Sequence, residues 1–141
     1  LIKESGLSKA EREKLIKLAL KPTHLYTNVI LDLIKKIKVK SIANITGGGL
    51  TENIPRSIPN NLSSEIYLDN WKMPLFFRTL QKLGNVQTTD MLRIFNCGIG
   101  MTVVIDPKDV SATMKVLSKH KLKAYMIGKV IKKSSTRINF L

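Results

Sequence analysis

Apolar positions recur at helical spacing in two stretches near the start of the chain. Ser8 and Glu11 stand at capping-box spacing ahead of Leu15, Ile16, Leu18 and Ala19, which predicts a helix over about 9–20, ended by Pro22. Val29, Ile30, Leu33, Ile34 and Ile37 follow a period of 3.6, while Asp32, Lys35, Lys36 and Lys38 fall largely on the other side. Residues 26–38 therefore predict an amphipathic helix whose apolar face needs a sheet or a second helix. Ser41 to Thr46 is short, apolar and bounded by Gly47-Gly48-Gly49, the pattern of a strand entering a tight turn. Leu50 to Asn53 leaves room for about one helical turn before Pro55.

Pro59-Asn60-Asn61 marks another turn, leading to a strand over about 65–68. Beyond Trp71 and Pro74, residues 75–83 and 88–95 predict two helices packed together and parted by Gly84-Asn85. Asn96-Cys97-Gly98-Ile99-Gly100 is a second glycine-bearing turn, and it opens onto Met101 to Ile105, the most strand-like segment of the chain. Pro107 suits the first turn of a helix that carries Val110, Met114 and Leu117 and ends near Lys119. Strands over about 124–131 and 136–140 flank a polar turn, Lys132-Lys133-Ser134-Ser135. This order predicts an α+β fold, a layered mixed sheet with helices, rather than a doubly wound sheet.

At 141 residues the chain has the size of one domain, and its hydrophobic share of 43% and charged share of 24% are those of a globular protein. The balance of 24 Lys and Arg against 10 Asp and Glu, a formal net charge of +14, favours anionic partners: nucleic acid, phosphorylated metabolites or acidic membrane surfaces. The lysines are spread over many elements and the aromatic residues are scattered, which predicts a solvated Lys-rich surface and argues against a nucleic-acid partner. Cys97 is the single cysteine, so an internal disulfide is excluded and a reducing cytoplasm fits best. No apolar stretch nears the roughly 20 residues of a membrane span, so no membrane partner is expected.

Two loops hold the candidate chemistry. Three consecutive glycines after a strand let the backbone approach a ligand closely, and their N–H groups ahead of a helix start would cradle an oxyanion or phosphate. The run matches neither the dinucleotide fingerprint nor the P-loop, and its spacing fits a simple tight turn as well. Asn53 and Arg56 offer amide and guanidinium donors to an anion, although Glu52 and Arg56 also stand at ion-pair spacing. Asn96, Gly98 and Gly100 place a polar side chain and bare backbone at the mouth of the later strand. His24 and His120 lack the spacing of a zinc site, so no metal is assigned, and Cys97 has no histidine beside it to activate a thiolate. Trp71, Phe76 and Phe77 fit a core better than a base-stacking platform.

Five ordered segments are similar to the C-terminal domain of the phosphoribosylformylglycinamidine cyclo-ligase family. They are Pro22-Thr23-His24-Leu25-Tyr26, Ile42-Ala43-Asn44-Ile45-Thr46-Gly47-Gly48-Gly49, Glu52-Asn53-Ile54-Pro55-Arg56, Gly84-Asn85-Val86 and Phe95-Asn96-Cys97-Gly98-Ile99-Gly100-Met101. The likeness runs from about Pro22 to at least Lys129, which divides the chain into a connecting segment with its helix at 1–21 and the domain at 22–141. Leu1-Ile2-Lys3 resembles residues that follow a substrate-side segment of the family, implying a start in mid-protein with the ATP-binding domain absent.

The resemblance implies an ATP- and Mg2+-dependent closure of formylglycinamidine ribonucleotide to aminoimidazole ribonucleotide in purine biosynthesis, through an iminophosphate, in a cytoplasmic homodimer. It implies that Gly47, Gly48 and Gly49 face a phosphate, that Asn53 and Arg56 orient it, and that Asn96, Gly98 and Gly100 shape the cleft. The catalytic residues stay unassigned, and this length of chain alone is expected to be inactive and to bind neither ATP nor Mg2+ fully. Two positions depart from the family pattern: Asn44 stands where histidine is common, which removes an imidazole acid or base there, and His24 where arginine is common. A related ATP-dependent enzyme such as a selenophosphate synthetase or a thiamine-phosphate kinase relative, and a basic nucleic-acid-binding module, are the rival readings.

Overall fold

A computed structural model describes residues 6–141; the likeness drawn from Leu1-Ile2-Lys3 lies outside the described residues. The first helix, α1 (Lys9–Ala19), begins where its capping box stands: Ser8 Oγ accepts from Glu11 N–H, and the Glu11 carboxylate accepts from Ser8 N–H at 2.9 Å. Only Leu15 of α1 is buried. Helix α2 (Thr27–Lys36) buries Val29 and Leu33. Strand β1 (Ser41–Asn44) leads through the triple glycine into α3 (Gly49–Arg56), and β2 (Leu62–Ile66) follows. Next come α4 (Leu75–Gly84) and α5 (Thr88–Ile94), then β3 (Met101–Val104), α6 (Val110–Lys119), β4 (Gly128–Lys132) and β5 (Ile138–Phe140). Asn85, in the left-handed region at φ 47°, makes the break between α4 and α5.

The α+β expectation holds, with the strands divided between two sheets. β1 and β3 form an antiparallel pair in which Ser41 lies opposite Val104 and Asn44 opposite Met101. β2 is central to a mixed sheet, antiparallel to β4 and parallel to β5. The two strands that flank the polar turn thus pair with β2 and not with each other.

Several boundaries differ from the pattern, three of them with a clear physical reason. α3 has two turns rather than one, because Pro55 sits inside it and the helix then closes with short bonds from Ser57 N–H to Ile54 O and from Ile58 N–H to Pro55 O. β2 begins at Leu62, earlier than the apolar pattern places it, since its Ser63 and Ser64 are buried. Ser63 Oγ donates to Thr136 O at 2.7 Å and accepts from Ser134 N–H, while Ser64 Oγ donates to Arg137 O. β4 starts only at Gly128; Tyr125 and Ile127 ahead of it pack against the core, and Tyr67 N–H donates to Ile127 O.

The main core joins Leu50 and Ile54 of α3 to Met91 and Leu92 of α5, with Ile45, Ile66, Trp71, Cys97 and Ile99 around them. Trp71 Nε1 donates to Cys97 O at 3.1 Å, which gives the buried indole its partner. A smaller cluster of Leu33, Ile37 and Val116 packs α2 on α6. Asp32 of α2 ties the pair at its rim, receiving Lys36 Nζ at 2.7 Å and meeting His120 Nε2 at 3.0 Å. Hydrogen bonds from these two partners hold its carboxyl at about 2, well below the ordinary value.

The guanidinium of Arg137 clamps the end of α3 and the turn after it onto β5. It donates to Pro55 O at 2.6 Å, Ile58 O at 3.0 Å, Pro59 O at 3.0 Å and Asn60 Oδ1 at 3.2 Å. Lysine cannot reproduce this planar fork. Arg137→Lys is expected to lower the unfolding free energy by about 2–4 kcal/mol in urea titration, since it leaves part-buried carbonyls without donors.

A pH effect is expected at Asp32. Its folded-state carboxyl is more acidic than in the unfolded chain, so its stabilisation is present above about pH 4 and is lost as pH falls through about 2. Acid unfolding of Asp32→Asn should therefore be less steep over that window than that of the unchanged chain.

Candidate functional site

Because β1 and β3 run antiparallel, the glycine run that leaves β1 and the glycine-bearing loop that enters β3 meet at one end of the same two-stranded sheet. Ile45 N–H donates to Gly100 O at 3.0 Å, extending the ladder one step and fastening the two loops together. Gly47, Gly48, Gly49, Asn53, Asn96, Gly98 and Gly100 are thereby brought into one neighbourhood.

The three glycines have different tasks. Gly48 caps α3 at φ 91°, and a Cβ there would meet the Glu52 side chain, 2.6 Å from its Oε2. Gly49, at φ 54°, is buried against the end of α5; a Cβ would fall 2.7 Å from Phe95 O and closer still to Leu92 O. Gly47 is exposed, with an ordinary φ and open space where a Cβ would stand. Only Gly47 of the three is free of a packing duty.

Gly49 N–H donates to Thr46 O, but the following first-turn N–H groups of α3 have no preceding helical carbonyl to bond. Thr51 Oγ1, on the same turn, is enclosed without a hydrogen-bond partner. The first-turn N–H groups of Leu50 and Thr51 thus stand at the positive end of a helix dipole, while the enclosed Thr51 hydroxyl is closed to a ligand.

Asn53 faces inward to this loop. Its Nδ2 donates to Gly49 O at 2.8 Å and Gly47 O at 3.1 Å, holding the carbonyls away from the loop's outer side. Arg56 belongs to the last turn of α3, roughly 10 Å along the axis from Gly49. Its guanidinium nevertheless returns toward the glycines, because Nη2 pairs with Glu52 Oε2 at 2.5 Å and that carboxylate lies against Gly48. The pair is exposed.

The second loop is braced in a similar way. Asn96 Oδ1 accepts from Gly98 N–H at 3.0 Å and Asn96 O from Ile99 N–H at 2.8 Å. Gly98, at φ 96°, lies against Pro74, whose Cδ would be 2.5 Å from a Cβ. Cys97 between them is fully buried, its thiol donating to Met91 O, and burial pushes its pKa up to about 11, so it is a packed side chain and no nucleophile. Asn44 ends β1 on an exposed position.

The structure adds Tyr26, which the sequence marks only as the last residue of Pro22-Thr23-His24-Leu25-Tyr26. Its phenol end lies against Gly100, with the hydroxyl oxygen nearest and Cζ 3.2 Å from where a Cβ would be. Among the described residues no group of three or more His, Cys, Asp or Glu side chains converges. Surface concavities of about 550 Å3 beside α1 and about 480 Å3 beside α4 include none of the loop residues.

Residues 1–140 match the family described as AIR synthase related protein, C-terminal domain. The chain is 42% identical over 144 residues to the phosphoribosylformylglycinamidine cyclo-ligase of Staphylococcus aureus strain Newman and 41% identical to that of strain JH9. Each comparison covers the whole of this chain and 42% of the relative, so the chain spans about two-fifths of the length of the curated relatives it matches. Among solved structures it is similar to Escherichia coli HypE, a hydrogenase maturation protein, with a TM-score of 0.64 and 18% identity over 82% of this chain and 36% of that one. That likeness is one of fold.

Alanine separates the glycines that pack from the one that does not. Gly49→Ala should cost about 2–4 kcal/mol in urea unfolding, through backbone clash and a strained φ, whereas Gly47→Ala should change stability by less than about 0.5 kcal/mol.

Proposed function

The chain belongs to the AIR synthase related protein family, C-terminal domain, and from that membership we propose that it is the C-terminal part of an ATP-dependent cyclo-ligase. The reaction is closure of formylglycinamidine ribonucleotide to aminoimidazole ribonucleotide in purine biosynthesis. The observation that supports this most is the junction of the two glycine loops through Ile45 N–H and Gly100 O, beside the start of α3.

An amide oxygen is a poor leaving group, so ring closure needs it converted to a better one. ATP, when bound, supplies the phosphoryl group that makes an iminophosphate, which an internal nitrogen of the substrate displaces with release of phosphate. Such chemistry depends on positioning and charge neutralisation more than on a protein nucleophile. In this reading the backbone of Gly47 to Gly49 and the first turn of α3 face a phosphate, Asn53 keeps the loop carbonyls turned away from it, and Arg56 neutralises it. An incoming anion would compete with Glu52 for Arg56. Asn96, Gly98 and Gly100 form the adjoining wall, and Asn44 serves no acid or base role.

Residues 1–21 act as a connection and 22–141 as the domain proper. Mg2+ and most contacts to ATP are assigned to the further length that the relatives possess, as is the homodimer contact. The proposed location is the cytoplasm; among the described residues no helix is long and apolar enough to cross a membrane.

Titration of the 15N-labelled chain with formylglycinamidine ribonucleotide, followed by NMR, tests the site. Amide shifts are expected at residues 47–56 and 96–100, and Gly47→Ala should reduce them without unfolding the protein. Shifts confined to other regions would refute the assignment.

A further inference from the structure

We propose that Tyr26 is a ligand-binding residue of this same end, its phenol hydroxyl donating a hydrogen bond to an anionic oxygen of the phosphorylated ligand. The inference rests on the reading of the glycine end as a phosphate-facing site and adds a third wall to it.

The starting point is Gly100. Its Cα faces Tyr26 so closely that any side chain at position 100 would collide with the phenol oxygen, while Cζ would stand 3.2 Å from the new carbon. The bare backbone at Gly100 therefore lets the hydroxyl end of Tyr26 come up against the entry to β3. Gly100 O is itself the acceptor that fastens the loop to Ile45, one residue from Thr46 and two from Gly47. Tyr26 also stands where α2 begins, its carbonyl accepting from Ile30 N–H, so the ring projects from a fixed point of the backbone.

A buried tyrosine hydroxyl ordinarily finds a hydrogen-bond partner in the protein or in water. Tyr67 does so, donating to Glu65 Oε2 at 3.2 Å. Tyr26 is half-buried, yet among the described residues its ring contact with His24 at 6.2 Å is accompanied by no hydrogen bond from its hydroxyl. The hydroxyl oxygen is not among the enclosed atoms left unpartnered, so solvent and ligands reach it. A reachable donor on a rigid ring, beside a loop with unused N–H groups, suits an anionic acceptor. Burial raises the phenol pKa, which keeps the proton in place for donation at neutral pH.

Tyr26→Phe keeps the ring beside Gly100 and removes only the hydroxyl. With formylglycinamidine ribonucleotide as the probe in the NMR titration, the variant should bind about tenfold more weakly, as for loss of one hydrogen bond to a charged group. Its thermal midpoint should be unchanged, and ligand shifts should shrink at Gly100 while persisting at Gly47 to Gly49. A second readout needs no variant: with tyrosines labelled at 13Cζ, the Tyr26 resonance should move on titration while those of Tyr67 and Tyr125 stay fixed. Binding by Tyr26→Phe within twofold of the unchanged chain, or a stationary Tyr26 13Cζ signal while the loop amides shift, overturns the proposal and leaves the site standing. No loop shifts in the unchanged chain would remove the site reading and this proposal together.

Discussion

The contact that orders the rest of this domain is the one with no side chain in it. Gly49 brings the first residue of α3 against the carbonyls that end α5, and even a methyl group would force the two helices apart. At that separation Leu50 and Ile54 interlock with Met91 and Leu92, three of which are at most 1% exposed. Full burial of each such side chain is worth roughly 1.5–3 kcal/mol, so the approach fixes a considerable share of the core's stabilisation. The same approach aims the start of α3 past the end of β1, toward the second loop. Packing and the candidate chemistry are therefore two results of one backbone geometry, and selection on either would keep a glycine at that position.

Electrostatics act on a coarser scale. A formal charge of +14 makes the whole domain attractive to anions, but an overall field does not choose among them. Selection would come from short-range geometry: N–H groups at a helix start, the guanidinium of Arg56 drawn back over the glycines by Glu52, and carbonyls turned inward by Asn53. Glu52 in this arrangement keeps Arg56 near the loop while no ligand is present, at the cost of a competing negative charge.

Much of this was legible in the residues. The capping box at Ser8 and Glu11, the apolar stripe of α2 and the break at Gly84-Asn85 each specify a local conformation by short-range chemistry, and the structure follows them closely. The α+β class follows from their order. What stayed hidden depends on distant partners. Ser63 and Ser64 look like surface residues, yet they are buried because Thr136 and Arg137 supply acceptors from across the sheet. Pro55 reads as a helix end, yet the turn it starts is held by Arg137 from far along the chain. At the candidate site the sequence marks the two loops, while their contact comes from β1–β3 pairing. Spacing alone favoured a tight turn over a cradle at Gly47 to Gly49; the structure shows that two of them are needed for packing, and that Tyr26 belongs to the same end.

The position of β2 bears on how such a chain is made. This strand is central to its sheet, but both neighbours lie far downstream, and the bond from Ser64 to Arg137 joins positions 73 residues apart. During synthesis β2 emerges from the ribosome long before either neighbour exists, with two edges unpaired and serines whose acceptors are still to be translated. Sheet formation is thus delayed until β5 has cleared the exit tunnel, whereas the α3–α5 contact can form earlier. The nascent chain accordingly carries an open strand while the long stretch between Ser64 and Arg137 is added, an interval in which chaperone capture or pairing with a neighbouring nascent chain would compete with correct closure.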